Sequence, residues 1–235
     1  MTDTLLLVGR THTRDVARIH ADRLRARDVA DRVSVATYDD DPAEIDPDTA
    51  GTVYAVPMAA APDRDTTRSI PGVLPEARHC EPVGTSPAVA RALAERARET
   101  LPAAPDASLA LVAFGDSSGP KSRRTTEQQA DRLRETTAYG EVTTAYLLQN
   151  PAVECLRYNL SGERAVVVPF FLAAAEETER AIPEKLELDR GGLAYADPLG
   201  DHEAVTDAIE AELAKARAIG SGTAAVSPLA ADGGR

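Results

Sequence analysis

The chain has 235 residues, a net charge of −12 and 4% aromatic residues, and its only lysines are Lys121, Lys185 and Lys215. That length holds two compact domains, and the acidic balance excludes general nucleic-acid binding, which requires a basic stripe. An Asp-rich, Lys-poor surface stays hydrated at high salt, so a salt-rich cytoplasm is the expected setting. No stretch is long and apolar enough for a membrane span or a signal peptide, and Cys80 and Cys155, read as two buried thiols, make no disulfide framework or four-Cys metal site.

In chain order, TLLLVG (4–9) is a continuous apolar run, as in a parallel strand buried on both faces. Residues 14–30 have helical spacing, with Ala17, Ala21 and Leu24 on one face. Strands follow at 33–38, at 52–56 and just before Pro82, and then a helix over 86–100. A Pro- and Ala-rich linker spans 101–107. The order then recurs: strand 108–114, helix 123–138, strands 141–148 and 164–168, helix 177–188, strand 193–196, helix 203–218. The remainder, 220–235, has no periodicity and reads as a disordered tail.

The recurrence extends to the residues themselves. VYAVPMAAAPDRDTTRSIP (53–71) and AVVVPFFLAAAEETERAIP (165–183) align without a gap. ADRLR occurs at 21–25 and at 130–134, and CEPVGTSPAVARAL (80–93) returns as ADPLGDHEAVTDAI (196–209). The offset drifts from 109 to 112 to 116 residues, as loop insertions in a duplicated domain produce. The expected fold is therefore α/β: two tandem doubly wound parallel-sheet domains, 1–100 and 108–219, related by internal duplication. One chain already supplies both halves of the cleft, so a monomer suffices.

Open parallel sheets bind ligands beyond the carboxyl ends of their strands. The residues placed there are Arg10 and His12 after the first strand, and Ser117, Ser118 and Lys121 in the matching loop of the second half. After the third strands come Asp65 and, in the second copy, Phe170 and Glu177. Arg10, Arg14, Arg64, Arg68, Lys121, Arg123 and Arg124 concentrate near these loops, where guanidinium forks can take ligand carboxylates. Against this stands the plainer reading, in which they neutralise neighbouring acids. Acids also favour helix starts, serines cap helices, His20 fits packing, His79 adjoins a strand end and His202 suits a cap.

The Gly-ended first strand, the Val-Pro-Phe-Phe-Leu-Ala-Ala stretch closing in Ile182-Pro183, and Pro198-x-Gly200 before a helix resemble the CbiX/SirB class II chelatases, from about residue 4 to 215. The resemblance implies a cleft for sirohydrochlorin, insertion of cobalt or iron as the substrate metal, and no organic cofactor. The family's two metal-handling histidines fall at Arg10 or Phe114 and at Asp65 or Glu177 here. The catalytic and metal-binding candidates are then His12, Asp65 and Glu177, with Arg10, Ser117, Ser118, Lys121 and Phe170 for the tetrapyrrole. A carboxylate can bind a divalent metal and accept pyrrole protons. The alternative is a non-catalytic tetrapyrrole or cobalt carrier of the same fold.

Overall fold

A computed structural model describes residues 2–45, 47, 51–115 and 120–222. Strands β1 (Asp3–Arg10), β2 (Arg32–Tyr38), β3 (Thr52–Pro57) and β4 (Arg78–His79) form one parallel sheet in the order β2-β1-β3-β4. Strands β5 (Ala107–Ala113), β6 (Glu141–Tyr146), β7 (Arg164–Pro169) and β8 (Leu193–Tyr195) form a second, in the order β6-β5-β7-β8. The helices are α1 (Arg14–Ala26), α2 (Ile70–Val73), α3 (Val89–Thr100), α4 (Lys121–Thr136), α5 (Leu156–Asn159), α6 (Ile182–Lys185) and α7 (Glu203–Gly222). Val8 pairs with Pro57 as Val112 pairs with Pro169, and Pro71 and Pro183 hold the same place in α2 and α6. The duplication read from the sequence is thus a duplication of structure.

Alternation along the strands decides what each face buries. Leu5, Leu7, Leu109, Leu111, Val56 and Val168 point into one core shared by both sheets and by α1, α3, α4 and α7. Leu6, Val8 and Ala55, and separately Ala110, Val112 and Val167, face smaller outer cores closed by Ile70 and by Ile182. Strands buried on both faces need the unbroken apolar runs that the sequence carries.

Each half is finished by a helix from the other. α3 packs against β7 of the second sheet, and α7 against β3 of the first. A matched pair of buried polar side chains crosses the same seam. His20 on α1 bonds the Gly200 carbonyl at 3.0 Å, and Gln129 on α4 donates to the Gly84 carbonyl at 2.7 Å and to that of Ser86 at 3.0 Å. A carbonyl only accepts, so His20 Nε2 carries the proton and Nδ1 accepts from the Thr206 hydroxyl at 2.8 Å. Ala90 stands where a counterpart of Thr206 would be, and Gln129 Oε1 has no partner among the described residues. His20, read from sequence as a packing residue, is a fully buried cross-link between the halves.

Several boundaries move. α1 stops at Ala26, short of residue 30, because Asp28 turns left-handed at φ 50°. β5 begins inside the expected linker, at Ala107. The last helix takes in residues 220–222 of the expected tail, and 223–235 lie outside the described residues. The short helix α5 carries no sequence signal strong enough to separate it from a loop. Cys155 is exposed and Cys80 half-buried, correcting the reading of two buried thiols. Among the described residues no helix is long and apolar enough to cross a membrane.

Candidate functional site

The first loop is built by a close approach. A Cβ on Gly9 would meet Thr13 Oγ1 at 2.4 Å, so only glycine lets the Thr11–Thr13 turn fold back onto β1. Thr13 then donates to the Arg10 carbonyl at 2.8 Å, which leaves the His12 ring exposed at the tip. Partial desolvation lowers the His12 pKa below its ordinary value. The Glu177 carboxylate opposes that shift and the Arg10 guanidinium adds to it. A histidine of the first copy and an acid of the second therefore share one electrostatic neighbourhood.

Asp65 and Glu177 each open a π-helical turn, Asp65–Ser69 and Glu177–Ala181, in which the N–H of Ile70 or Ile182 reaches back five residues to the acid's carbonyl. Pro71 and Pro183 follow directly, and neither has an N–H for the ordinary ladder. Thr66 and Thr178 brace the turns alike: their hydroxyls accept from the N–H of Asp63 at 2.9 Å and of Ala175 at 3.0 Å. Wide turns of this kind recur at functional sites.

The side chains diverge where the backbones agree. Asp65 Oδ2 accepts from Arg10 Nη2 at 2.6 Å and from the Tyr38 hydroxyl at 3.2 Å, and Oδ1 accepts from Ser69 at 3.3 Å. Arg10 also lies 5.6 Å from the centroid of the Tyr38 ring. Burial, and then the Asp65 charge, push the Tyr38 pKa up, so this hydroxyl stays a donor. At the places equivalent to Arg10, Tyr38 and Ser69 the second copy has Phe114, Leu147 and Ala181. None of these three side chains can donate a hydrogen bond. Tyr38 escaped the sequence reading; its signal was its place as the last residue of β2, at the carboxyl edge.

Phe170 does not belong to this mouth. It is 1% exposed and packs in the shared core, because its N–H continues the strand pairing to the Val112 carbonyl at 2.7 Å and alternation turns the ring inward. Met58, its counterpart, does the same. Lys121 opens α4 as an exposed cation, and Ser117 and Ser118 lie outside the described residues. The first strands are 104 residues apart (Val8, Val112) and the second strands 109 (Ala36, Ala145), so the second copy has five extra residues in this loop.

The arginines divide between the two readings. Arg10 pairs with Asp65 and Arg123 with Glu127, whereas Arg64, Arg68, Lys121 and Arg124 have no ion pair among the described residues. His79 bonds the Leu74 carbonyl, and His202 bonds Glu95 and takes the Ala204 N–H, a capping role. Among the described residues no three His, Cys, Asp or Glu side chains group as a metal site. Cavities of 540 Å³ beside β2 and 200 Å³ at the amino end of the second sheet are each lined by one copy alone.

Known proteins share this architecture. Residues 109–216 match the CbiX family model. A probable sirohydrochlorin cobaltochelatase of Halobacterium salinarum is 30% identical over 111 residues, which are 45% of this chain and 37% of that protein. SirB from Bacillus subtilis, solved with Fe3+, superimposes with a TM-score of 0.76 at 20% identity over 94% of this chain and 98% of its own. The multidomain DR2241 of Deinococcus radiodurans gives 0.75 at 21% identity over 92% of this chain, which spans about half, 55%, of that protein.

Proposed function

We propose, from the match of residues 109–216 to the CbiX family model and the likeness to a cobaltochelatase relative, that this chain is a CbiX-type class II chelatase and inserts a divalent metal, cobalt in preference to iron, into sirohydrochlorin. What carries the proposal is the placing of His12, Asp65 and Glu177 beyond the carboxyl ends of β1, β3 and β7, with the Glu177 charge felt at His12. That is where an open parallel sheet presents a ligand. Imidazole suits cobalt better than oxygen donors alone, and the name of the Halobacterium relative agrees.

In this mechanism the macrocycle lies across the mouth. Arg10, 45% exposed at its side chain, retains donors for a peripheral carboxylate, and Lys121 offers a second cation. His12 and a carboxylate, Asp65 or Glu177, present the metal to the pyrrole nitrogens. Two N–H protons leave as the metal enters, and the carboxylate passes them to water. No organic cofactor takes part.

Absorption spectra of sirohydrochlorin mixed with the purified protein, with and without Co2+, test the reading. The expected result is insertion about tenfold or more above the uncatalysed rate. A metal-independent spectral shift without acceleration would replace the enzyme by a carrier, and no shift at all would remove the tetrapyrrole.

A further inference from the structure

The duplication supplies two equivalent acids, and the structure distinguishes them. We propose that the copies have divided the work: Glu177 takes the metal and the pyrrole protons, whereas Asp65 is a positioning residue for Arg10. The inference rests on the chelatase reading and names which residues of the mouth carry it out.

Asp65 is already engaged. Both its oxygens accept hydrogen bonds, its side chain is 15% exposed, and its nearest partner is a guanidinium at 2.6 Å. A dication binding there would have to displace Arg10 or settle beside its positive charge, and like charges at that range repel. The same contacts fix Arg10. With Nη2 on Asp65 and Nη1 3.4 Å from the Asp39 carbonyl, the guanidinium is held over Tyr38, its remaining donors free for a ligand carboxylate.

Glu177 is in the opposite state. It has no hydrogen bond or ion pair among the described residues, and Phe114, Leu147 and Ala181 replace every group that holds Asp65. Phe114 is 47% exposed and carries no charge to repel a cation. Glu177 then offers a free carboxylate to an incoming dication, with the His12 imidazole of the first copy in its electrostatic neighbourhood as a nitrogen donor. The rest of the coordination sphere is left to water and the macrocycle. One M2+ enters, two pyrrole N–H bonds break, and the two protons pass by way of the carboxylate to solvent.

Two measurements on the full chain decide the matter, and the first needs no tetrapyrrole. Co2+ titrated into the protein alone should bind at least about tenfold more weakly to Glu177→Gln, while Asp65→Asn stays within about twofold of wild type. In steady-state insertion, Glu177→Gln should lose kcat with sirohydrochlorin binding retained. Asp65→Asn should instead raise KM severalfold, and Asp65→Glu, still able to reach Arg10, should bring it back. Should Asp65→Asn not fold, Tyr38→Phe serves, with the same rise in KM. Cobalt binding lost on Asp65→Asn and kept on Glu177→Gln overturns the division, as does wild-type protein that binds no cobalt. A wild type that binds cobalt through Glu177 but leaves the sirohydrochlorin spectrum unchanged retires the chelatase reading and keeps the metal assignment.

Discussion

The seam and the mouth of this molecule descend from the same duplication and have kept it to different degrees. Across the seam the buried frame is kept: His20 crosses to Gly200 as Gln129 crosses to Gly84, and α3 and α7 exchange sheets. At the mouth the backbones still agree, down to the two π-turns, but Arg10, Tyr38 and Ser69 bond Asp65, and Phe114, Leu147 and Ala181 hold the equivalent places in the copy of Glu177. Where each copy must fit the other, a change on one side strands a buried group on the other side. Where both face solvent and ligand, each side chain is free to change alone.

Breaking the seam should have the largest effect. His20→Ala with Gln129→Ala leaves the carbonyls of Gly84, Ser86 and Gly200 without these donors. The Ser86 carbonyl keeps the Val89 N–H, so at about 1–3 kcal/mol for each of the two carbonyls left unpaired the changes should cost about 2–6 kcal/mol. Denaturant unfolding should show that loss in one transition; two transitions, or a loss below about 1 kcal/mol, would mean that the seam does not couple the halves.

Acid should reveal the titration of His20. Burial pulls the His20 pKa down to about 4 from an ordinary 6.5. The unfolded chain therefore takes up a proton as pH falls through 6.5, and the folded chain does so only near 4. Stability is full above the unfolded value and declines between those two values, by about 3 kcal/mol as an upper figure. His20→Gln, which repeats the residue of the second copy, should flatten the unfolding free energy over that window. A wild-type profile already flat there would show that His20 is not held neutral.

A smaller effect should follow from giving the mouth back its symmetry. Arg10→Phe with Asp65→Glu copies the second site into the first. The new acid is released from its guanidinium, so the Co2+ titration should gain a second, weaker site or a severalfold rise in affinity. An unchanged isotherm would mean that the contacts around Asp65 do not set its access to metal.

Most of the fold was legible because it rests on repeating patterns. Strands buried on both faces write unbroken runs such as Leu5–Val8 and Val166–Val168, and the gapless Pro57/Pro169 alignment fixes β3 against β7. The mouth was legible only in part. His12, Asp65 and Glu177 were singled out from their places after strand ends, but the ion pair that sets Asp65 apart joins residues 55 positions apart. Phe170 misled for a related reason. A bulky apolar residue just past a strand reads as ligand wall or as core according to which way the chain turns next, and here it continues straight. Nor does the identity of His20 and Gln129 suggest equivalence; only the ADRLR repeat beside them does so.

The exchanged helices also set a timetable for the chain's birth. β3 is complete by Pro57, yet the helix that covers it begins at Glu203. At about 5–20 residues per second, well over a hundred residues of further synthesis take roughly 7–30 s. Throughout that interval part of the first sheet stands bare on the ribosome with its apolar side chains showing. α3, made by Thr100, waits in turn for β7. The nascent first half is thus an unfinished object that closes properly only on its own sequel, and in a crowded polysome the nearest imitation of that sequel is the same half of a neighbouring chain.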